Sequence, residues 1–144
     1  MGGVDGFMGC SFHWDTQLRR SPAQIVRQIV KALEDAGIIL GYRALVDAKK
    51  VELGLIALIQ ISMDKHTQER FSSFEREIKA IPEVLECLLI TGHSADYLLK
   101  VIVKDLEHYQ KLLLQKITKI AGVTGVHSSF VLNKVIDKTA LPIY

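Results

Sequence analysis

What this 144-residue chain has little of narrows its class first. It holds two cysteines, Cys10 and Cys87, far apart and without C-x-x-C spacing, which argues against a disulfide framework or a cysteine zinc site and for a reducing cytoplasm. No apolar run reaches the ~20 residues that cross a bilayer, because Lys, Glu, Gln or Asp interrupts each one. The first residues also lack a basic region followed by a hydrophobic one. No membrane partner is expected. A large excess of one sign of charge is missing too: a net +2 does not by itself announce nucleic-acid binding. Finally, no nucleophile stands beside a base and no metal-ligand cluster occurs, the five histidines being scattered. Neither catalytic residues nor a metal or cofactor is therefore expected. Gly2, Gly3, Gly6 and Gly9 do not make a phosphate loop, since no strand precedes them and no Gly-Lys-Ser/Thr follows.

What is there is 49% hydrophobic residues, enough for one globular domain with a real core. The chain centres on Ile81 to Val103, where Val84 to Ile90 and Tyr97 to Val103 are apolar, strand-like runs around a polar turn at Gly92-His93-Ser94-Ala95. Val84, Leu88 and Ile90 are expected on one face with Leu85, Cys87 and Leu89 on the other. In the second run Tyr97, Leu99, Val101 and Val103 oppose Leu98 and Ile102. Both faces are apolar, so a second copy of the chain is the expected extra layer, and function is expected at the turn.

Residues 1–20 show no sustained period and read as irregular. Ser21 as N-cap, Pro22 in the first turn and Gly37 as a stop delimit a helix, with Ile25, Val26, Ile29, Val30 and Leu33 as its apolar stripe and Gln24, Arg27, Gln28 and Lys31 opposite. Arg19, Arg20, Arg27 and Lys31 put four bases into thirteen residues without an acid. Ile38 to Val46 is β-prone and reads as a wing or linker. It is followed by a polar connection, a buried strand over Leu53 to Met63, a helix over Thr67 to Ala80, and the hairpin. A helix from Leu106 to Ile120, with Leu106, Tyr109, Leu113, Ile117 and Ile120 inward, precedes a last strand over Val123 to Val135. The resulting β-α-β-β-α-β order predicts an α+β, ferredoxin-like domain: a four-stranded antiparallel sheet with two helices on one face.

Of the polar residues, His93 and Asp96 could form an acid–base pair, but a tight turn uses the same residues to bond its own backbone. His127 and Ser129 read as a polar strip at an interface, Cys87 as an inert thiol, Tyr109 as core with its hydroxyl at the rim, and His66, Asp105 and His108 as capping residues.

Three segments together resemble the leucine-responsive regulatory protein/AsnC (Lrp/AsnC) family of feast-or-famine transcription regulators. They are Leu33-Glu34-Asp35-Ala36-Gly37-Ile38-Ile39-Leu40-Gly41-Tyr42; Ile81-Pro82-Glu83-Val84 with Glu86-Cys87 and Thr91-Gly92 to Asp96-Tyr97-Leu98-Leu99-Lys100; and Phe130-Val131-Leu132 with Lys134-Val135 to Lys138-Thr139-Ala140-Leu141-Pro142. The resemblance covers residues 21–144 and is specific in combination. It implies a partial winged helix-turn-helix with linker over 21–50 and an effector-binding, oligomerising ferredoxin-like domain over 51–144. Its partners would be an amino-acid effector, DNA, and further copies of itself as a dimer and an octamer-like ring. By the same resemblance Leu89, Thr91, Gly92 and Asp96 bind the effector, lined by Phe130, Val131 and Leu132. Asp96 takes the ammonium and the turn amides the carboxylate, and Arg19, Arg20, Gln24, Arg27, Gln28 and Lys31 face DNA. No enzyme activity goes with it.

One departure stands out: a helix-turn-helix needs two helices before its recognition helix, and twenty residues without the expected pattern precede Ser21. The runner-up expectation is thus an effector-binding oligomerisation module without autonomous sequence-specific DNA binding. A small ferredoxin-like enzyme using His93 and Asp96 ranks third.

Overall fold

The structure is a computed structural model that describes residues 21–92 and 94–143. The irregular segment expected over 1–20, with Arg19 and Arg20, and the turn residue His93 lie outside the described residues. The chain divides into two compact units, the second beginning at Asp47.

Among its described residues the first unit has the helix α1 (Pro22–Asp35). Its start is fixed by a reciprocal cap: the Ser21 hydroxyl accepts from the Gln24 N–H at 3.2 Å, and Gln24 Oε1 accepts from the Ser21 N–H at 2.9 Å. Ala36 closes the helix, with Gly37 after it. The apolar stripe is as expected in position, yet none of its residues is buried among the described residues. Ile38 to Val46, β-prone in sequence and read as a wing or linker, forms no strand among the described residues. The Ile38 and Ile39 amides turn back onto Leu33 O, and Ile38, Leu40 and Leu45 stand exposed.

The second unit opens with a short 3-10 turn, Ala48–Val51, capped by the Asp47 side chain. Because the Leu53 amide is spent closing that turn onto Ala48 O, β1 (Leu55–Met63) starts two residues later than the apolar run suggests. α2 (Gln68–Lys79) follows, N-capped by Thr67. Then come β2 (Val84–Leu89), β3 (Tyr97–Val103), α3 (Leu106–Leu112) and β4 (Val123–Phe130). The order β-α-β-β-α-β is the predicted one. The sheet is antiparallel throughout, in the order β2-β3-β1-β4.

Ala57, Ile59, Ile61 and Met63 of β1 and Tyr97, Leu99, Val101 and Val103 of β3 point under the helices. There they meet Phe74 and Ile78 of α2 and Tyr109, Leu112, Ile117 and Ile120 from α3 and its continuation. α3 does not keep one period. Over Leu113–Ile117 it widens, and the Thr118 N–H reaches Leu113 O, five residues back. The change of phase buries Leu112 and leaves Leu106, expected inward, exposed.

β2 and β4 depart from the strands expected of them. β2 carries an irregularity between Val84 and Glu86, so Val84 lies opposite Val101 and joins Cys87 and Leu89 on the helix side; Leu88, opposite Leu98, is on the other face. β4 ends at Phe130, and not at Val135, because its neighbour β1 begins at Leu55. After Phe130 opposite Ala57, one further bond, Val131 N–H to Ile56 O, closes the ladder. The face away from the helices presents Leu58, Leu88, Leu98 and Ile102 beside Gln60, Ser62, Lys100, His127 and Ser129. Among the described residues no helix is long and apolar enough to cross a membrane.

Candidate effector site at the hairpin turn

The turn between β2 and β3 is stitched to the end of β1 by its backbone and by one carboxylate. The Ile90 N–H bonds Asp96 O at 3.0 Å, the Asp96 N–H bonds Ile61 O at 2.8 Å, and the Ser62 hydroxyl donates to Ser94 O at 3.3 Å. The Asp96 carboxylate completes the seam: Oδ2 accepts from the Met63 N–H at 2.8 Å, and Oδ1 meets His66 Nε2 at 2.8 Å. Its side chain is 15% exposed, so the carboxylate is held, oriented and still reachable. Gly92 adopts φ +91°, which lets the chain reverse over it without a side chain in the way. No hydrogen bond among the described residues ends on the Thr91 or Gly92 amide. Two open N–H donors and one anchored carboxylate on a single turn form a place where a zwitterion finds both of its opposites.

Beneath the turn lies an aromatic and acidic layer. Tyr97, fully buried, donates its hydroxyl to Glu75 Oε2 at 2.8 Å, stacks on Phe74 and meets Phe71 edge-on. Burial first, then the Glu75 hydrogen bond and charge, with Cys87 and Asp96 beyond, push its phenol far above the ordinary range. Burial, and then Glu75, likewise raises the Cys87 thiol, which fits the inert thiol expected there. Asp64 and Arg70 pair at 3.1 Å beside the turn.

Of the expected effector residues, the fold gathers Leu89, Thr91, Gly92 and Asp96 at one end of the sheet and leaves Phe130, Val131 and Leu132 at the other. Leu89 is opposite Tyr97, which is opposite Ile61; Phe130 is opposite Ala57, four residues along β1 and on its far side. With ~3.4 Å per residue and ~4.8 Å per strand, the two groups are separated by about 20 Å, too far for one amino acid to touch both within one chain. Phe130 rests edge-on against Tyr109, whose hydroxyl bonds Ser128, and Leu132 is 98% exposed.

His66, taken from the sequence as a capping residue, is instead the side-chain partner of Asp96, thirty residues away. No local pattern signals that pair; it follows only from the β1–β3 register. Asp105 does cap α3 through the His108 N–H, and His108 then bridges the Lys104 N–H and Glu83. Burial alone would raise Glu83, but the His108 hydrogen bond, a backbone bond and the charges of Lys116 and His108 carry it below the usual carboxylate range. This cluster fastens β2 to α3. In α1, Gln24, Arg27, Gln28 and Lys31 are exposed; Gln24 also serves the cap, and Lys31 pairs with Asp35 at 3.4 Å.

Residues 56–141 match the family described as the Lrp/AsnC ligand binding domain. The chain is 36% identical over 116 residues to an HTH-type transcriptional regulator of Sinorhizobium fredii, covering 81% of this chain and 90% of that one. It is 37% identical over 114 residues to the Bkd operon transcriptional regulator of Pseudomonas aeruginosa, covering 79% and 74% respectively. Among solved structures, a transcriptional regulator of Neisseria meningitidis in complex with L-methionine superposes with a TM-score of 0.78 at 34% identity, over 89% of this chain and 81% of that one.

Proposed function

The chain belongs to the Lrp/AsnC family of transcriptional regulators, and on that premise we propose that it senses a free amino acid at the β2–β3 turn and couples that binding to assembly and DNA contact. The effector's ammonium sits at Asp96 and its carboxylate at the Thr91 and Gly92 amides, with Leu89 beside them. The observation that carries this reading is the turn itself, an anchored carboxylate next to two open amides. The N. meningitidis relative, solved with L-methionine, supports the ligand class.

The ~20 Å between the turn and Phe130, Val131 and Leu132 supports a composite pocket. One copy supplies the turn, and another lines it with the end of β4 and the chain beyond. Copies join first through the open sheet face, where burying each of Leu58, Leu88, Leu98 and Ile102 is worth about 1.5–3 kcal/mol, and then dimers associate into an octamer-like ring. DNA meets the exposed side of α1, with Arg27 and Lys31 on phosphates and Gln24 and Gln28 toward base edges. Such a regulator acts in the cytoplasm.

Calorimetry of the full chain against each of the twenty L-amino acids tests the sensing role. At least one binds, and Asp96→Asn, which keeps an oxygen for the Met63 amide while removing the charge, weakens it by about 1.5–3 kcal/mol, the worth of a hydrogen bond to a charged group. Heat from none of the twenty, or an unchanged affinity in the variant, overturns the reading.

A further inference from the structure

We propose that His66 is a built-in competitor for the effector: its imidazole occupies the carboxylate oxygen of Asp96 that an amino acid's ammonium must take, so that binding exchanges one for the other. The inference rests on the reading above that the ammonium goes to Asp96. The two oxygens are not equivalent. Oδ2 holds the amide of Met63, the last residue of β1, a bond that cannot be given up without loosening the strand end. Oδ1 is held by a side chain that is 67% exposed, against 15% for the carboxylate it covers. The group that shields Asp96 is therefore the one already turned to solvent.

The backbone on either side of His66 is fixed, which confines the exchange to its ring. The Asp64 N–H bonds Gly122 O at 2.8 Å and its carboxylate pairs with Arg70, while the Thr67 hydroxyl accepts from the Arg70 N–H to start α2. Rotation about the side-chain bonds is what remains, and the ring edge already rests against Phe71 at 5.9 Å between centroids. Asp64 is committed to Arg70 and Glu75 to the Tyr97 hydroxyl, while Glu69 stands exposed in the first turn of α2. Asp96 is the carboxylate there whose partner can leave. The residue at position 66 thus sets how strongly the site resists filling, and acts on affinity without touching the ligand.

The test is calorimetry of the full chain as wild type, His66→Ala and His66→Gln with each of the twenty L-amino acids. Removing an exposed charge-pair or hydrogen-bond partner is worth roughly two- to fivefold. His66→Ala is accordingly expected to tighten the amino acid that wild type binds by about that factor, and His66→Gln, which restores a neutral N–H donor of similar reach, to return it toward wild type. In ¹H–¹⁵N spectra of the histidine rings, the His66 signal, identified by its loss in His66→Gln, shifts as that amino acid saturates the protein. Unchanged or weaker binding by His66→Ala, or a ring signal indifferent to the ligand, overturns the exchange. Wild type binding none of the twenty removes the sensing role and this inference together, whereas wild-type binding with an unaltered His66→Ala affinity removes this inference alone.

Discussion

Two glycines and one tyrosine show how much a single position decides. Gly92 and Gly122 both adopt positive φ, +91° and +96°, but their surroundings differ: a Cβ on Gly92 meets nothing within 4 Å, while one on Gly122 would lie 2.5 Å from Arg70 Cδ and 3.0 Å from Met63 Cε. Gly92→Ala therefore carries the backbone cost of about 1–2 kcal/mol. Gly122→Ala adds the displacement of Arg70 from Asp64 and is the more destabilising; urea unfolding that ranks them equal would contradict this. Tyr97 yields a pH dependence. Its folded-state phenol is raised by burial and then by Glu75, so the folded form keeps a proton that the unfolded form releases above about pH 10. The stability this contributes is present below that pH and lost as pH rises. Against Tyr97→Phe, wild type gains about 1 kcal/mol at neutral pH from the hydrogen bond to Glu75, and that advantage shrinks in alkaline unfolding curves; a constant difference would refute it. From sequence, Gly122 reads as a helix stop and Tyr97 as a strand residue; the strand is there, whereas the helix already closes at Thr118 and Gly122 lies in the turn before β4. Their contacts with Arg70 and Glu75 depend on which strands and helices become neighbours, and no local pattern encodes that.

Elements were easier to read than contacts, and the exceptions share a cause. α1 carries its cap and proline at one end and its glycine at the other, β1 and β3 are short apolar runs bounded by polar or turn residues, and α2 has a clear helical period, so local signals sufficed. The apolar run after Phe130 looks like strand, but past Val131 it finds no partner strand among the described residues, because β1 begins at Leu55; the segment after Gly37 likewise has no neighbouring strand among them. A strand is a property of two segments, and sequence shows one at a time. α3 escaped for another reason: one extra residue in its turn moved Leu112 inward and Leu106 outward. For α1, whose Gln24, Arg27, Gln28 and Lys31 are exposed, the prediction concerns DNA. If Arg27 and Lys31 contact phosphates, Arg27→Ala with Lys31→Ala weakens retention across unrelated sequences, and the slope of log affinity against log salt falls by about two. Loss of preference for one sequence with an unchanged slope would assign them to base reading.

At the scale of the whole molecule, the sheet faces and the two separated halves of the expected pocket point to the same conclusion. The sequence indicated a second copy through strands apolar on both faces, and it indicated the residues of the pocket through resemblance. It could not show that the turn and the β4 end lie at opposite ends of the sheet, because that follows from the strand order β2-β3-β1-β4. The central claim is that one amino acid is held by the turn of one copy and the β4 end of another. The most direct measurement mixes two full-length variants, each disabled in one half: Asp96→Asn, and Phe130→Ala combined with Leu132→Ala. Each alone binds the wild-type effector weakly in calorimetry. Unfolded together and refolded, they form mixed assemblies in which some sites pair two intact halves, so a fraction of high-affinity sites returns. Recovery of that fraction is the predicted result; a mixture that binds as weakly as its separate components would contradict a shared site.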